Sequence, residues 1–365
     1  MSELAQTQKR LGLLRARLLM AVASGVLLAS TNAADASDDD RDRPVVWIEL
    51  GGQLDQLSHD ANGWLPPDLT PPISNPSPPP FGRPPILGYD GWLQLSLQPE
   101  DSDWIYAVSL RYGRAKFGPK EHHDQSYILK SAGGVYPPKY ILSQYNFANS
   151  TERSQSNHTV IDFTAGKDVG LGMFGHGRSV LNFGLRYAQL NEGAIAQLTA
   201  FVSAPAKYSP GEEVHKANAR IDRHFVGIGP SASWDASFPV IGSLAEGLSL
   251  DWGANAAALF GRQKSRLHLQ THVAQYRLDP AYSYFAKSTE IAHSTHTPFR
   301  RRTVFVPNVG GFASVSYHLS GAAKLSVGYR ADFFFNAIDT GVYARSAATR
   351  GFYGPFASIS VGIGG

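Results

Sequence analysis

The 365-residue sequence predicts an all-β fold: a single transmembrane antiparallel β-barrel of about ten strands, or about twelve if two connections add strands, with short periplasmic turns and long extracellular loops. Three observations predict it. Segments near the C-terminus alternate apolar with polar or tiny residues, the connections between segments alternate short with long, and the chain opens on an export leader.

The alternation is clearest over residues 323–336 and 350–363. In the first, Leu325, Val327, Tyr329, Ala331, Phe333 and Phe335 share one side, and Ser326, Gly328, Arg330, Asp332 and Asn336 share the other with Phe334. In the second, Tyr353, Pro355, Ala357, Ile359, Val361 and Ile363 oppose Gly354, Phe356, Ser358, Ser360 and Gly362. Successive side chains of a strand point to opposite faces, so a period of two means one greasy and one polar surface. In a soluble sandwich the greasy face meets a second sheet; in a membrane barrel it meets lipid.

The N-terminus favours the membrane. Lys9, Arg10, Arg15 and Arg17 precede an apolar run over residues 18–29, and the small residues Ala33, Ala34 and Ala36 follow. That is the layout of a secretory leader, expected to occupy residues 1–34 with cleavage near 33–36. Residues 35–44, with Asp38, Asp39, Asp40, Arg41 and Arg43, read as a flexible link, and 45–365 as the barrel. No later stretch approaches the roughly 20 apolar residues of a membrane helix, so any spanning must be done by a closed barrel.

Composition agrees. Cysteine is absent, which excludes disulfides and thiolate metal sites. Four of the 33 Lys and Arg and one of the 30 Asp and Glu lie in the leader, which leaves 29 of each sign in the mature chain. A formally neutral product gives no electrostatic reason to expect nucleic acid.

Ten strand-like segments follow in order: residues 45–56, 89–98, 104–114, 158–168, 179–190, 221–236, 248–261, 303–319, 323–336 and 350–363. Several reach the roughly 9–11 residues that a tilted strand needs to cross a bilayer. The brief connections are 99–103, 169–178, 237–247 and 320–322. The long ones are 57–88, 115–157, 191–220, 262–302 and 337–349, the expected asymmetry of an outer-membrane barrel. The first long connection contains Pro66, Pro67, Pro71, Pro72, Pro76 and a triplet at 78–80, and is expected to be a stiff loop. Residues 140–147 and 266–276 are candidates to extend hairpins above the membrane. Trp104, Trp234 and Tyr317 adjoin short turns, and Tyr112 and Tyr187 lie toward the other ends, so two aromatic girdles are expected.

Specific blocks carry a further signal. DFTAGKDVGLG at 162–172, RHFVGIGPSASW at 223–234, LDWGANAAALFG at 250–261 and LSVGYRAD at 325–332, with the closing segment 351–362, resemble the Legionella-type major outer-membrane protein family. The resemblance runs from about Val45 to the end and implies a pore-forming barrel. One departure is the C-terminus, Ile363-Gly364-Gly365, where many bacterial barrels end in an aromatic residue.

Other motifs carry less. Gly170, Gly172 and Gly175 satisfy the G-x-G-x-x-G spacing, but a dinucleotide site needs a helix next and here a strand is expected. His122-His123-Asp124 and the pair His293 and His296 offer metal-ligand chemistry, yet without further ligands they read as solvated loop histidines. No serine sits in a G-x-S-x-G elbow, and no catalytic residue, cofactor or enzyme activity is expected. The run Arg300, Arg301 and Arg302 suits phosphate, which makes it a candidate contact for lipopolysaccharide at the outer leaflet.

The inward parity carries the functional expectation. If Leu325, Val327 and Tyr329 face lipid, then Arg330 and Asp332 face the lumen, and the same parity turns Glu49, Arg111, Asp162, Arg186, Arg223 and Asp251 inward. Arg or Lys on the lipid side would cost roughly 2–4 kcal/mol near the midplane. Rings of charge set the field met by a permeating solute, so the expected function is passive diffusion of small hydrophilic solutes or ions. The alternatives are a lumen plugged by its own ion pairs and a non-conducting barrel whose loops adhere to host or matrix. Homo-oligomerisation is compatible with either.

Overall fold

The computed structural model describes residues 45–59, 86–100, 102–131, 141–169, 178–204, 211–242, 246–279, 284–320, 322–341 and 345–363. The leader, the flexible link, most of the proline-rich connection and the G-x-G-x-x-G motif lie outside the described residues. The strands are β1 (Val45–His59), β2 (Ile86–Gln98), β3 (Trp104–Ser131), β4 (Ile141–Asp168), β5 (Arg178–Ala204), β6 (Gly211–Gly242), β7 (Gly247–Asp279), β8 (Tyr284–His296), β9 (Phe299–Ser320), β10 (Ala323–Asp339) and β11 (Ala347–Ile363).

All pairings are antiparallel, and they close: β6 through β1 in reverse order, then β11, β10, β9 and β7, with β7 returning to β6. Closure removes the unpaired sheet edge that hydrocarbon would not tolerate. Among the described residues ten strands form the wall, and β8 pairs with β7 alone, from His296 opposite Leu269 to Tyr284 opposite Asp279. On the same strand β9 starts where Phe299 meets Arg266. β8 is therefore the upper continuation of β9, interrupted at Thr297-Pro298, where proline cannot donate to the ladder. The Pro298 carbonyl still accepts the Leu267 amide at 3.1 Å, which holds the break against β7.

Each of the ten expected segments forms a strand, but the connections differ from expectation. Residues expected as irregular extracellular loops at 115–157, 191–220 and 262–302 are mostly strand: Lys116 pairs with Gln155 and Ser131 with Ile141, Asn191 with His224 and Ala204 with Gly211, and Gly211 with Arg277. His122, His123 and Asp124 belong to β3, and His293 and His296 to β8, rather than to loops. The physical reason is that above the membrane the outer face meets water instead of lipid and is polar, while the ladder continues on inward pairs such as Ala219 with Leu269 and Ile221 with Leu267, which belong to a second buried cluster. Among the described residues β3 to β8 thus build a wall on one side that is taller than β1, β2, β10 and β11.

Outward parity is apolar through the membrane zone. Leu325, Val327 and Tyr329 are 46%, 58% and 49% exposed, and Leu250 to Phe260 on β7 shows the same outward run. Eleven residues at about 3.3 Å, tilted by about 40°, rise about 28 Å, close to the roughly 25 Å apolar band of such barrels. Trp104, Trp234 and Tyr317 are exposed near the short turns, and Tyr112 toward the opposite rim. The Trp234 indole donates to Ser179 Oγ at 2.7 Å. At the β6–β7 turn Gly242 and Gly247 take φ of 82° and 139°. On β10 a bulge after Phe334, with Asn336 at φ 57°, turns both Ala337 and Ile338 into the interior.

Candidate pore interior

Inward residues stack in layers. Near the short turns Asp251 accepts from Ser249 Oγ at 3.0 Å, Ser316 Oγ at 2.6 Å and Lys324 Nζ at 3.2 Å. Asn182 Nδ2 donates to Asp235 Oδ2 at 2.8 Å. These groups are small or flexible, and a buried carboxylate with this many donors is well compensated.

Above them the Arg330 guanidinium lies over three rings, 4.3 Å from Trp92, 5.2 Å from Phe356 and 5.8 Å from Phe312. Cation–π contact substitutes for lost hydration on those sides. The Trp92 indole donates to Glu49 Oε1 at 3.1 Å. Trp92 fits because its cross-strand partner is Gly51: a Cβ there would stand 2.1 Å from the ring.

The next layer is dense in charge. Arg111 bonds Asp90 through Nε and Asp332 through Nη1, donates to Gln53 Oε1 at 3.1 Å, and has Asp55 at 3.7 Å. Arg186 grips Asp162 with both arms of its fork, at 2.6 and 3.0 Å, and donates to Asn255 at 2.7 Å and to Asn308. Beside Arg111, Asp90 Oδ2 is 3.6 Å from His158 Nε2.

An apolar belt follows. Phe225, Leu190, Leu259, Val306, Phe334, Ile338, Phe352 and Leu57 belong to one buried cluster across the barrel, with Phe334 and Phe352 edge to face at 6.1 Å. On its outer side Glu192 sits between two guanidiniums, Arg223 at 3.3 Å and Arg350 in closer contact, and Arg223 also donates to the Thr340 carbonyl at 2.9 Å.

All eight residues expected on the inner face stand there: Glu49, Arg111, Asp162, Arg186, Arg223, Asp251, Arg330 and Asp332. Pairing joins Arg111 to Asp332 and Arg186 to Asp162. The Arg330 guanidinium rests on rings, and Arg223 meets Glu192, a residue that parity alone did not single out. The arginine run is divided by the pleat. Arg300 and Arg302 share the inner face with their partners Ser265 and Gln263, and Arg300 bonds Asp339 at 2.8 Å; Arg301 pairs with Lys264 on the outer face. Sequence reading missed Gln53, Asp55, Asp90 and His158. Their in-phase spacing was visible, but their convergence depends on strand register.

A closed antiparallel wall, greasy outside and charged inside, defines a transmembrane β-barrel of the outer membrane. The chain belongs to the family described as Legionella pneumophila major outer membrane protein precursor, which it matches over residues 118–363. No curated protein matches it. Among solved structures it is similar to the translocator domain of autotransporter NalP from Neisseria meningitidis, at 10% identity and TM-score 0.20, covering 98% of this chain and 97% of that one. OprB of Pseudomonas putida gives 7% identity, TM-score 0.19 and coverage of 88% and 94%. The P. putida toluene transporter TodX gives 7%, 0.19, and 90% and 91%. Superpositions this loose carry no functional argument. The barrel rests on the chain's own closed ladder.

Proposed function

We propose that the barrel is a gated channel for small hydrophilic solutes or ions, moving passively down their gradients. The observation that carries this reading is an apolar belt around Phe225, Phe334 and Phe352 set between two charged layers, Arg111/Arg186 below and Glu192/Arg223/Arg350 above. Polar vestibules joined by a hydrophobic constriction are an arrangement that gates by dewetting. Opening requires the belt to part and the ion pairs to re-partner, after which Arg111, Arg186, Arg223 and Arg330 would face the solute.

Single-channel recording in planar bilayers tests it. The wild type is expected to show infrequent discrete openings, and Phe334→Ala with Phe352→Ala more frequent ones. Silence from both refutes the channel. The second reading, an anchor without conduction, is favoured by the close packing of the same layers and by the tall wall of β3 to β8, which offers an extended surface for adhesion. Silent bilayers with cell binding that depends on that wall would establish it.

We also propose a lipopolysaccharide contact on the outer face. Arg262, Lys264, Arg266 and Arg301 lie above the exposed rings of Phe260 and Phe305, where a leaflet's phosphates meet its acyl chains. Charge reversal at Lys264 and Arg301 should abolish co-purification of lipid A at matched barrel yield. Unchanged lipid content would refute the contact.

A further inference from the structure

We propose that Asp55, Asp90 and His158 form a binding site for a divalent transition-metal cation inside the barrel. One donor atom from each lies within 4.8 Å of the other two. The residues come from β1, β2 and β4, and all three are buried, at 1%, 4% and 2% exposure. Within the trio, Asp55 Oδ1, Asp90 Oδ1 and His158 Nε2 have no hydrogen-bond partner. Buried polar atoms without partners are uncommon and costly, and three in one place point to something between them.

The backbone is arranged for this convergence. β3 separates His158 from Asp90, and the residue in register between them is Gly113, opposite Asp90 on one side and His158 on the other. A Cβ at Gly113 would stand 2.2 Å from His158 Cε1, 2.7 Å from His158 Nε2 and 2.7 Å from Asp90 Cβ. The imidazole therefore crosses β3 through the space that a side chain would fill.

Charge gives the sign and size of the occupant. Three carboxylates, Asp55, Asp90 and Asp332, surround Arg111, which contacts Asp90 and Asp332 and stands 3.7 Å from Asp55. One guanidinium among three carboxylates leaves this group short of positive charge, which a divalent cation would supply. Arg111 holds Asp90 by Oδ2, which leaves Oδ1 for the ion. One imidazole nitrogen with two carboxylate oxygens suits zinc, cobalt or manganese better than calcium or magnesium, which prefer all-oxygen shells. Metal–ligand distances of about 2.0–2.2 Å require the three donors to draw inward by roughly 1 Å, within the reach of carboxylate and imidazole rotation. The site needs the barrel alone and does not depend on conduction.

Cobalt(II) is a suitable probe because its visible absorption reports coordination. The full barrel, refolded in detergent and checked for folding by its heat-modifiable migration, is titrated with Co²⁺ and then displaced with Zn²⁺. One equivalent per chain is expected. His158→Ala, Asp90→Asn and Gly113→Ala should each weaken it by about tenfold or more, while His293→Ala in the upper wall leaves it unchanged. X-ray absorption of the zinc-loaded wild type should show an oxygen/nitrogen shell containing one imidazole, a measurement that stands even if a variant fails to fold. Absence of saturable uptake up to about 1 mM, uptake undiminished in a folded His158→Ala barrel, or a zinc shell without imidazole would each overturn the site and leave its unpaired atoms to water or a proton.

Discussion

Replacing Arg111 with methionine should be the most damaging single change in the interior. Its side chain is 11% exposed, among Asp90 at 0%, Asp332 at 10% and Asp55 at 1%. Methionine fills part of the volume but leaves three carboxylates facing one another in a site from which water is largely excluded. Breaking a buried pair by removing one partner typically costs about 3–5 kcal/mol, and here two close pairs are broken at once, so the upper part of that range is expected. Urea unfolding from lipid vesicles, followed by tryptophan fluorescence in the presence of a chelator, reads the loss as a shift of midpoint at constant slope. Adding Asp90→Asn and Asp332→Asn to the Arg111→Met chain should restore most of it, because of the three stranded carboxylates only Asp55, the most distant from Arg111, then remains. A loss below about 1 kcal/mol in Arg111→Met, the scale of a solvated surface pair, would show that the layer is hydrated and that its ion pairs do little for stability.

Three other outcomes follow from the same architecture. Phe334→Ala opens a cavity in the apolar belt and should cost about 3–5 kcal/mol in the same assay. Ala331→Arg, on the lipid face between Tyr329 and Phe333, should cost about 2–4 kcal/mol and impair vesicle insertion, a penalty that Arg330, one residue earlier on the inner face, does not incur. On the outer wall, burial and then the nearby Lys264 hold the His224 imidazole below its ordinary value. The unfolded chain then takes up the proton first, so stability should fall as pH drops from about 6.5 toward that lower value and flatten beneath it. His224→Gln should make that slope shallower, and an unchanged slope would assign it elsewhere.

Periodicity made the membrane-facing half of the molecule legible. Leu325, Val327 and Tyr329 against Ser326, Gly328 and Arg330 leave one consistent orientation once the greasy side is given to lipid, because a slip of one residue would expose every charge. The inner face was legible as polarity but not as layers. Phe334 and Phe356 stood out as aromatic residues on the polar side, yet their edge-to-face contacts with Phe352, Trp92 and Phe312 depend on the register between strands. The same holds for Asp55, Asp90 and His158, which meet only because Gly113 intervenes. Least legible was the upper wall: Lys116 to Ser131 mixes polar and apolar residues without alternation, since neither face is pressed against lipid. Only its pairing with Ile141 to Gln155 makes it strand.

That upper wall constrains how the protein can vary. Deleting or inserting one residue within an arm such as Gln189–Leu198 would swap interior for exterior from that point to the tip and break alignment with both neighbouring arms. Related chains are therefore expected to differ in height by matched, even-numbered changes on paired arms, or by changes confined to the tips. Variation in such an arm is therefore expected to come in whole pleats, because two residues are the smallest change that keeps each side chain on its own face.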